Sequence, residues 1–447
     1  MDSYLSDYEC FFRSKTKKFF EMAVCYAHGL FRSDDRNIER ICVDDGRLCY
    51  HRMQHFISDS PWDWRGVMDR VAADVDASVP RNALVGLLVD ETGVCKKGDG
   101  SVGVGWQYCG NAGKVCNSQV SVLGVLCGGD HAAVVDARLY LPGDWSDDPE
   151  RCARAGIPEG VRGHRSKTDI AFELISHQLE LGTAFDFVSA DGLYGHDTEL
   201  GSRLSGLGVT YMLDIHSNQA VYPVGTALEV PQGNGTRGRK PTKLQPTEKG
   251  VRVDRYREGL DSKDWEWINT RGGSKGKLGA YYHFTGVCVW NPGRQAMEER
   301  TLVIRRRKTR AGWETKYSLT NAGQRGYSHG DMAFMQGQRF FVEHSIKEAK
   351  SVVGMDQFQT RKWLAWHHQM ALNMMAGCFI MKEKLTCFDE LPLLSAWDIK
   401  RWIQFRVSRQ LTEDDLIERM FKRHYKRQKD INIAYNKQNR QNGNVSK

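Results

Sequence analysis

Residues 338–350, QRFFVEHSIKEAK, set a carboxylate between two cations on what the pattern predicts to be a long late helix. At about 100° per residue, Arg339 and Glu343 stand one turn apart and Lys350 lies two turns beyond Glu343, so all three project from one face. A metal ion needs the carboxylate and phosphate oxygens need the cations, so this face suits metal-assisted chemistry on a phosphodiester. A solvated helix face with i,i+4 charge pairs is the plainer reading, each pair adding only roughly 0.2–0.5 kcal/mol. Two upstream aspartates favour the chemical one. Asp90 follows the apolar run 83–89 and Asp191 follows 185–190, each at the end of a strand-like segment. Two carboxylates at strand ends of one mixed sheet, with a third on a helix packed against it, allow distant residues to share metal ions. Two divalent cations roughly 3.5–4 Å apart would then activate the attacking oxygen and stabilise the leaving one.

The elements that must position these acids follow from periodicity. After the run 83–89 come strand-like segments at 103–108, 120–126 and 132–141, separated by short Gly-rich intervals that predict an antiparallel start to the sheet. Thr168 opens a helix over 169–181, closed by Gly182, and the strand 185–190 delivers Asp191. The 152 residues between Asp191 and Glu343 far exceed one crossover, so something is inserted. Residues 216–329 carry strand-like runs at 279–290, 301–306 and 313–319, which predicts a β-rich subdomain between the second and third acids. Within it, Arg237, Arg239 and Lys240 resemble the basic core that AT-hooks place in a minor groove, with a solvated loop as the alternative. Trp265, Trp267 and Trp313 are candidates for stacking on unpaired bases or for ordinary packing. The late helix is expected to run on through 358–382, with His367 and His368 at the edge of its apolar stripe rather than on a metal.

The first eighty residues read as helical: one helix over 4–31 stopping near Gly29, then two short helices at 37–43 and 48–57 around an Asp-Asp-Gly turn. That pair is compatible with a helix-turn-helix whose second helix presents Arg52 to DNA. Net charge is +8 over 447 residues, and from Asp398 onward 13 Lys/Arg face 6 Asp/Glu, which suits a polyanionic partner. The twelve cysteines are singletons without a CxxC pair, as expected of reduced thiols carrying no function. No apolar window approaches 18 residues and no export signal opens the chain, so a cytoplasmic, nucleoid-associated protein without membrane contact is expected.

Val89-Asp90-Glu91-Thr92-Gly93 with Lys96-Lys97-Gly98, then Ala190-Asp191-Gly192-Leu193-Tyr194-Gly195, then Glu343 with Lys350, resemble the three acidic blocks of the DDE transposases of bacterial insertion sequences. The insertion sequence 701 family is the branch most resembled, through QFQTRKWLAWHHQMALNMMA after the third acid, and the likeness runs from about residue 36 to 424. In the related insertion sequence 4 group the third block is Tyr-x2-Arg-x3-Glu-x6-Lys. Arg339, Glu343 and Lys350 match in register, but Gln336 takes the tyrosine position, which bears on how a 5′ phosphate or end base is held. Glu91 stands where the family often has a second Asp. The resemblance implies a ribonuclease-H-like core, a β insertion after the second acid, two Mg²⁺ ions with Mn²⁺ able to substitute, terminal inverted repeats as substrate, and cut-and-paste movement by a homodimer.

The expected architecture is therefore α/β. A ribonuclease-H-like mixed-sheet catalytic core spans 79–215 and 330–395, a β-rich insertion subdomain 216–329, an N-terminal helical DNA-binding domain 1–78, and a basic C-terminal helical tail 396–447. Asp90, Asp191 and Glu343 are expected to bind the metal ions and carry catalysis on double-stranded DNA. Arg339 and Lys350 are expected on phosphates beside the scissile bond, with Lys96 and Lys97 as further candidates. A nuclease of the same core without strand transfer, and a domesticated DNA-binding protein, are the rival readings; the intact acid triad argues against the second.

Overall fold

The structure is a computed structural model that describes residues 1–46, 48–231, 242–271, 278–387 and 394–407, with isolated positions between 414 and 436. The N-terminal helix expected over 4–31 is broken. A short helix, Asp2–Ser6, leads into a two-residue hairpin, Arg13–Ser14 with Lys17–Lys18, before helix α1, Phe20–Arg32. The polar stretch Ser14-Lys15-Thr16 makes the turn, and the hairpin sets Phe12 and Phe19 side by side in the core, the Phe19 N–H donating to the Phe12 carbonyl at 2.8 Å. Gly29 does not stop α1; a β-carbon there would lie 2.3 Å from an Ile41 methyl, so glycine lets the next helix approach. That helix, α2 (Ile38–Asp45), is capped by Asn37 and ended by Gly46 at φ 75°. Helices α3 (Tyr50–Ser58) and α4 (Trp64–Ser78) follow.

A ten-stranded sheet comes next. Its first four strands are β1 (Val85–Cys95), β2 (Val104–Cys109), β3 (Lys114–Gly128) and β4 (His131–Leu139). Strand β3 pairs antiparallel with β1, β2 and β4, as the short Gly-rich intervals predict. Helix α5, Lys167–Glu180, opens with a Ser166/Asp169 capping box and packs Leu174 over Gly124 of β3. Strand β5 (Phe187–Ala190), helix α6 (Thr198–Gly206) and strand β6 (Tyr211–Ile215) extend the sheet in parallel: β5 pairs with β1 and β6 with β5.

Apart from two two-residue pairings, Leu228–Glu229 with Gln245–Pro246 and Ala220–Val221 with Val251–Arg252, the insertion joins its strands to the main sheet. Its strands β7 (Glu266–Arg271), β8 (Leu278–Asn291), β9 (Ala296–Thr309) and β10 (Gly312–Thr320) form an antiparallel run whose last member pairs with β6, so the sheet order is β7-β8-β9-β10-β6-β5-β1-β3-β2, with β4 also on β3. It does have its own apolar cluster, including Val287, Leu302, Ile304 and Tyr317. The late helix is also divided. Helix α7 (His329–Gly337) meets α8 (Arg339–Val353) at Gln338. Gly354, at φ 75°, then ends α8, and a loop precedes α9 (Trp363–Thr386) and α10 (Ala396–Val407).

Helix α9 is apolar on nearly every face and buried accordingly. His368 stacks on Trp62 with centroids 3.8 Å apart and bonds the Ile57 carbonyl; His367 bonds the Trp363 carbonyl. Burial depresses the two imidazoles to about 3 and about 4 for His367 and His368 respectively, so both serve packing as neutral rings. The N-terminal helices pack on α9: Tyr4 donates to the Met375 carbonyl and Tyr26 to the Gln369 side chain. Residues 1–78 therefore share one continuous core with the sheet rather than standing apart. Among the described residues no helix is long and apolar enough to cross a membrane.

The short helix Gly192–Gly195 after β5 lies tightly against β6, where a β-carbon on Gly195 would sit 1.9 Å from the Asp214 carbonyl oxygen. Gly195→Ala is expected to destabilise the fold by about 1–3 kcal/mol, as overpacking against backbone does. Thermal melting beside that of Gly206→Ala, which has open space, measures it; equal melting temperatures would refute the packing argument.

Candidate active site

The parallel registers of the sheet decide where the acids fall. Val89 pairs with Ala190 and Ala190 with Leu213, so Asp90, Asp191 and Asp214 each follow the last paired residue at the same end of three adjacent strands. Asp90 is not at the end of its own strand: β1 continues to Cys95 because its antiparallel partner β3 keeps pairing after β5 has left. Asp191 turns the chain by capping the next helix, accepting from the Leu193 N–H at 3.0 Å. Asp214 was missing from the sequence reading, although the apolar run before it carries the same signature as the other two.

Helix α8 brings the remaining groups over these strand ends. Its residue Glu343 is exposed, one turn from Arg339, which is buried. Arg339 donates from Nη1 to the Val89 carbonyl at 3.2 Å and from Nη2 to Asp90 Oδ2 at 3.3 Å, and its Nε lies 3.8 Å from Asp214. The sequence places Arg339 on phosphate, but in the structure the first turn of α8 faces the sheet and the buried guanidinium is taken up by two aspartates. Burial opposes its charge, yet Asp90, Asp214, Asp191 and Glu343 together hold it above the ordinary arginine range.

Gln336, at the position of the family tyrosine, is buried too. It donates to Ser318 Oγ at 2.7 Å, and Ser318 donates to Asp214 Oδ1 at 2.6 Å, a relay that orients Asp214 from the insertion side.

Asp90 shows the electrostatic cost of the assembly. Its carboxyl is pushed up to about 6 by burial; Arg339 and the Glu91 N–H oppose this, while Asp191 and Glu343 add to it. A buried carboxyl raised further by two neighbouring carboxylates belongs to a hard oxygen donor set short of positive charge, which fits a hard divalent cation. The three acids are not drawn tightly together: among the described residues only Cys95, Cys109 and Cys116 place three potential donor atoms within 4.8 Å of one another.

The other expected DNA contacts fare differently. Lys96 donates to the Phe358 carbonyl at 2.7 Å and is depressed by burial to about 8, so it ties β1 to the loop before α9 rather than facing solvent. Lys350 is half-buried, lowered by burial, with Nζ 3.4 Å from the Gly93 carbonyl. Arg52 and Lys97 are exposed. Arg237, Arg239 and Lys240 lie outside the described residues. Lys97 borders a broad groove with Arg151, Arg154, Arg361, Lys362 and the exposed Trp106, a basic surface that the sequence reading missed because its members come from three separate segments. Trp265 packs on the insertion's core, whereas Trp267 and Trp313 are exposed on either side of Tyr281.

With this geometry in place, residues 8–277 match the family described as DDE superfamily endonuclease, and the chain belongs to it. Membership implies dependence on a divalent metal. Over 172 residues the chain is 32% identical to the "Probable transposase for insertion sequence element IS701" of Microchaete diplosiphon. That stretch is 38% of this chain and 41% of the relative, so the match spans less than half of the relative's length. The resemblance drawn from the acidic blocks is met. The structure also aligns with a piggyBac transposase synaptic complex with hairpin DNA at 11% identity and a TM-score of 0.38, over 91% of this chain and 76% of that one, a likeness too distant to argue from.

The Asp90 shift gives a pH signature. Because the native carboxyl titrates near 6 and the unfolded one near 3.8, the native state holds the extra proton between these values, and its contribution to stability falls as pH rises through that window. A divalent cation bound at Asp90 would replace that proton. The rise in melting temperature produced by Mg²⁺ is therefore expected to be small at pH 5, to grow through about pH 6, and to be lost in Asp191→Ala; a pH-independent rise would argue against binding at Asp90.

Proposed function

We propose that this chain is a DNA transposase of the insertion sequence 701 type, cutting element ends and joining them to target DNA. What supports this reading is the placement of Asp90 and Asp191 in step at one end of adjacent strands, with Glu343 one turn from the Arg339 that bonds Asp90. The strand order β4-β3-β1-β5-β6, with three antiparallel strands followed by two parallel additions, supports a ribonuclease-H-like core.

Asp90, Asp191 and Glu343 would hold two Mg²⁺ ions, with Mn²⁺ able to substitute. Bound there, the ions supply Lewis-acid stabilisation of the phosphoryl oxygens and a more acidic water. Arg339 favours the ionised form of Asp90 and fixes it in the floor of the site, and the Gln336–Ser318 relay holds Asp214 in place through hydrogen bonds. Lys350 is positioned to meet a phosphate by exchanging its long contact to Gly93. In the first reaction water attacks the phosphorus, the P–O3′ bond breaks and the 3′ oxygen leaves as a hydroxyl. In the second, that hydroxyl attacks a target phosphodiester and displaces a new 3′-OH. Terminal inverted repeats and target duplex would be held by the groove at Lys97 and Arg361 and by Arg52, in a homodimer acting at the bacterial nucleoid.

Two measurements test this. Asp90→Ala, Asp191→Ala and Glu343→Ala are each expected to lower single-turnover nicking of terminal-repeat DNA at least about 100-fold while leaving DNA binding within a few-fold. Nicking without any joined product would reduce the reading to a nuclease. Separately, replacing Lys97, Arg154 and Arg361 with Ala should weaken binding uniformly across sequences and flatten the log–log salt dependence by roughly 0.9 per lost phosphate contact. An unchanged slope would remove the groove from the DNA path.

A further inference from the structure

Three cysteines that look unrelated in sequence meet beside the candidate active site. Cys95 pairs with Ser118 across β1 and β3, while Cys109 pairs with Lys114 and Gln107 with Cys116 across β2 and β3. Strand alternation therefore puts all three thiols on one face of the sheet, with Cys116 diagonal to the other two. Cys95 Sγ lies 3.4 Å from Cys116 Sγ and 4.0 Å from Cys109 Sγ, and all three sulfurs fall within 4.8 Å of one another. None is in a disulfide.

These separations match a metal better than a disulfide. Tetrahedral ligation with Zn–S of about 2.3 Å sets thiolates ~3.8 Å apart, a value the observed distances bracket. A disulfide needs about 2.05 Å and would use two of the three sulfurs. The backbone also makes room: a β-carbon on Gly93 would lie 2.5 Å from Cys109 Sγ, so glycine at 93 is what seats that thiol. Cys95 is exposed, giving an ion a way in and an open coordination position, while Cys109 is buried. Three thiolates on a dication leave one negative charge, and the Lys350 ammonium, in electrostatic contact with Cys109 and Cys95, stands ready to balance it.

We propose that Cys95, Cys109 and Cys116 form a thiolate site for a thiophilic divalent cation of the Zn²⁺ type, with water as the fourth ligand. The donors are soft sulfur, so the site is chemically distinct from the hard carboxylate set and selects a different ion. Its place, where β1 runs past Asp90 along β3, with β2 on the other side of β3, makes it a clamp on the far end of the strand that carries Asp90. It stands whether or not the transposase reading does.

The test uses the full chain, reduced and free of chelator, loaded with Zn²⁺ and desalted before metal analysis, with Co²⁺ as a spectroscopic probe. One tightly held Zn²⁺ per chain and thiolate-to-cobalt charge-transfer absorption are expected. Cys109→Ser and Cys116→Ser should each weaken binding at least tenfold, and Asp191→Ala should not. Because the buried Cys109 variant could misfold, the half-buried Cys116 variant, checked by circular dichroism, carries the decision. Zinc content unchanged in Cys116→Ser, no zinc above that of the triple serine variant, or a Cys95–Cys116 disulfide in the isolated protein would each overturn the proposal.

Discussion

The site depends on the in-step parallel pairing of β1, β5 and β6. Because Val89, Ala190 and Leu213 lie in one row across the sheet, the next residue of each strand is carried to the same edge, and all three are aspartates. Parallel strands with crossovers release their chain ends at one edge of a sheet, which is where ligand sites form in open α/β architectures. A one-residue slip of β5 would turn Asp191 to the other face and dissolve the cluster. The apolar strands leave little room for such a slip, since Leu87, Leu88, Val89, Phe187 and Val188 are all fully buried.

Three carboxylates at one edge repel each other, and Arg339 is the protein's own answer to that repulsion. A buried guanidinium costs desolvation, and it is held here because Asp90 and Asp214 face it from two strands while the Val89 carbonyl takes a further N–H. The same contact fixes the first turn of α8 on the sheet and thereby sets where Glu343 emerges one turn later. Arg339 neutralises only part of the charge. Asp90 still titrates high, and that residual deficit is what a divalent cation would fill.

Much of this was legible in the sequence. An apolar run ending in an acid marked Asp90 and Asp191, and a helical face marked Glu343, because each signal is local. Lys350 and Arg339 shared that face on paper, but helical spacing cannot say which residue of a turn meets the sheet, and Arg339 proved to be the one buried. The apolar spacing over 358–382 carries the late helix past its real end, because it does not register the left-handed Gly354 that stops α8. The basic groove at Lys97 and the thiol cluster depend on register between strands and on loops from distant segments, so no local pattern could reveal them.

The insertion and the N-terminal helices show how far the core constrains its additions. Strand β10 continues the catalytic sheet through β6, and Ser318 on that strand bonds Asp214 directly, so the insertion helps build the site as well as extending from it. At the other end, Tyr4 and Tyr26 bond to α9, and α4 places Arg65 on the buried Asp136 of β4. Residues 1–78 therefore cannot act as a detachable DNA-binding module, since removing them would expose α9 and take from the buried Asp136 one of its two arginine partners, leaving only Arg138. Any DNA contact made by Arg52 on α3 is consequently held in fixed geometry to the acids, because α3 buries Met53, Phe56 and Ile57 in the same core.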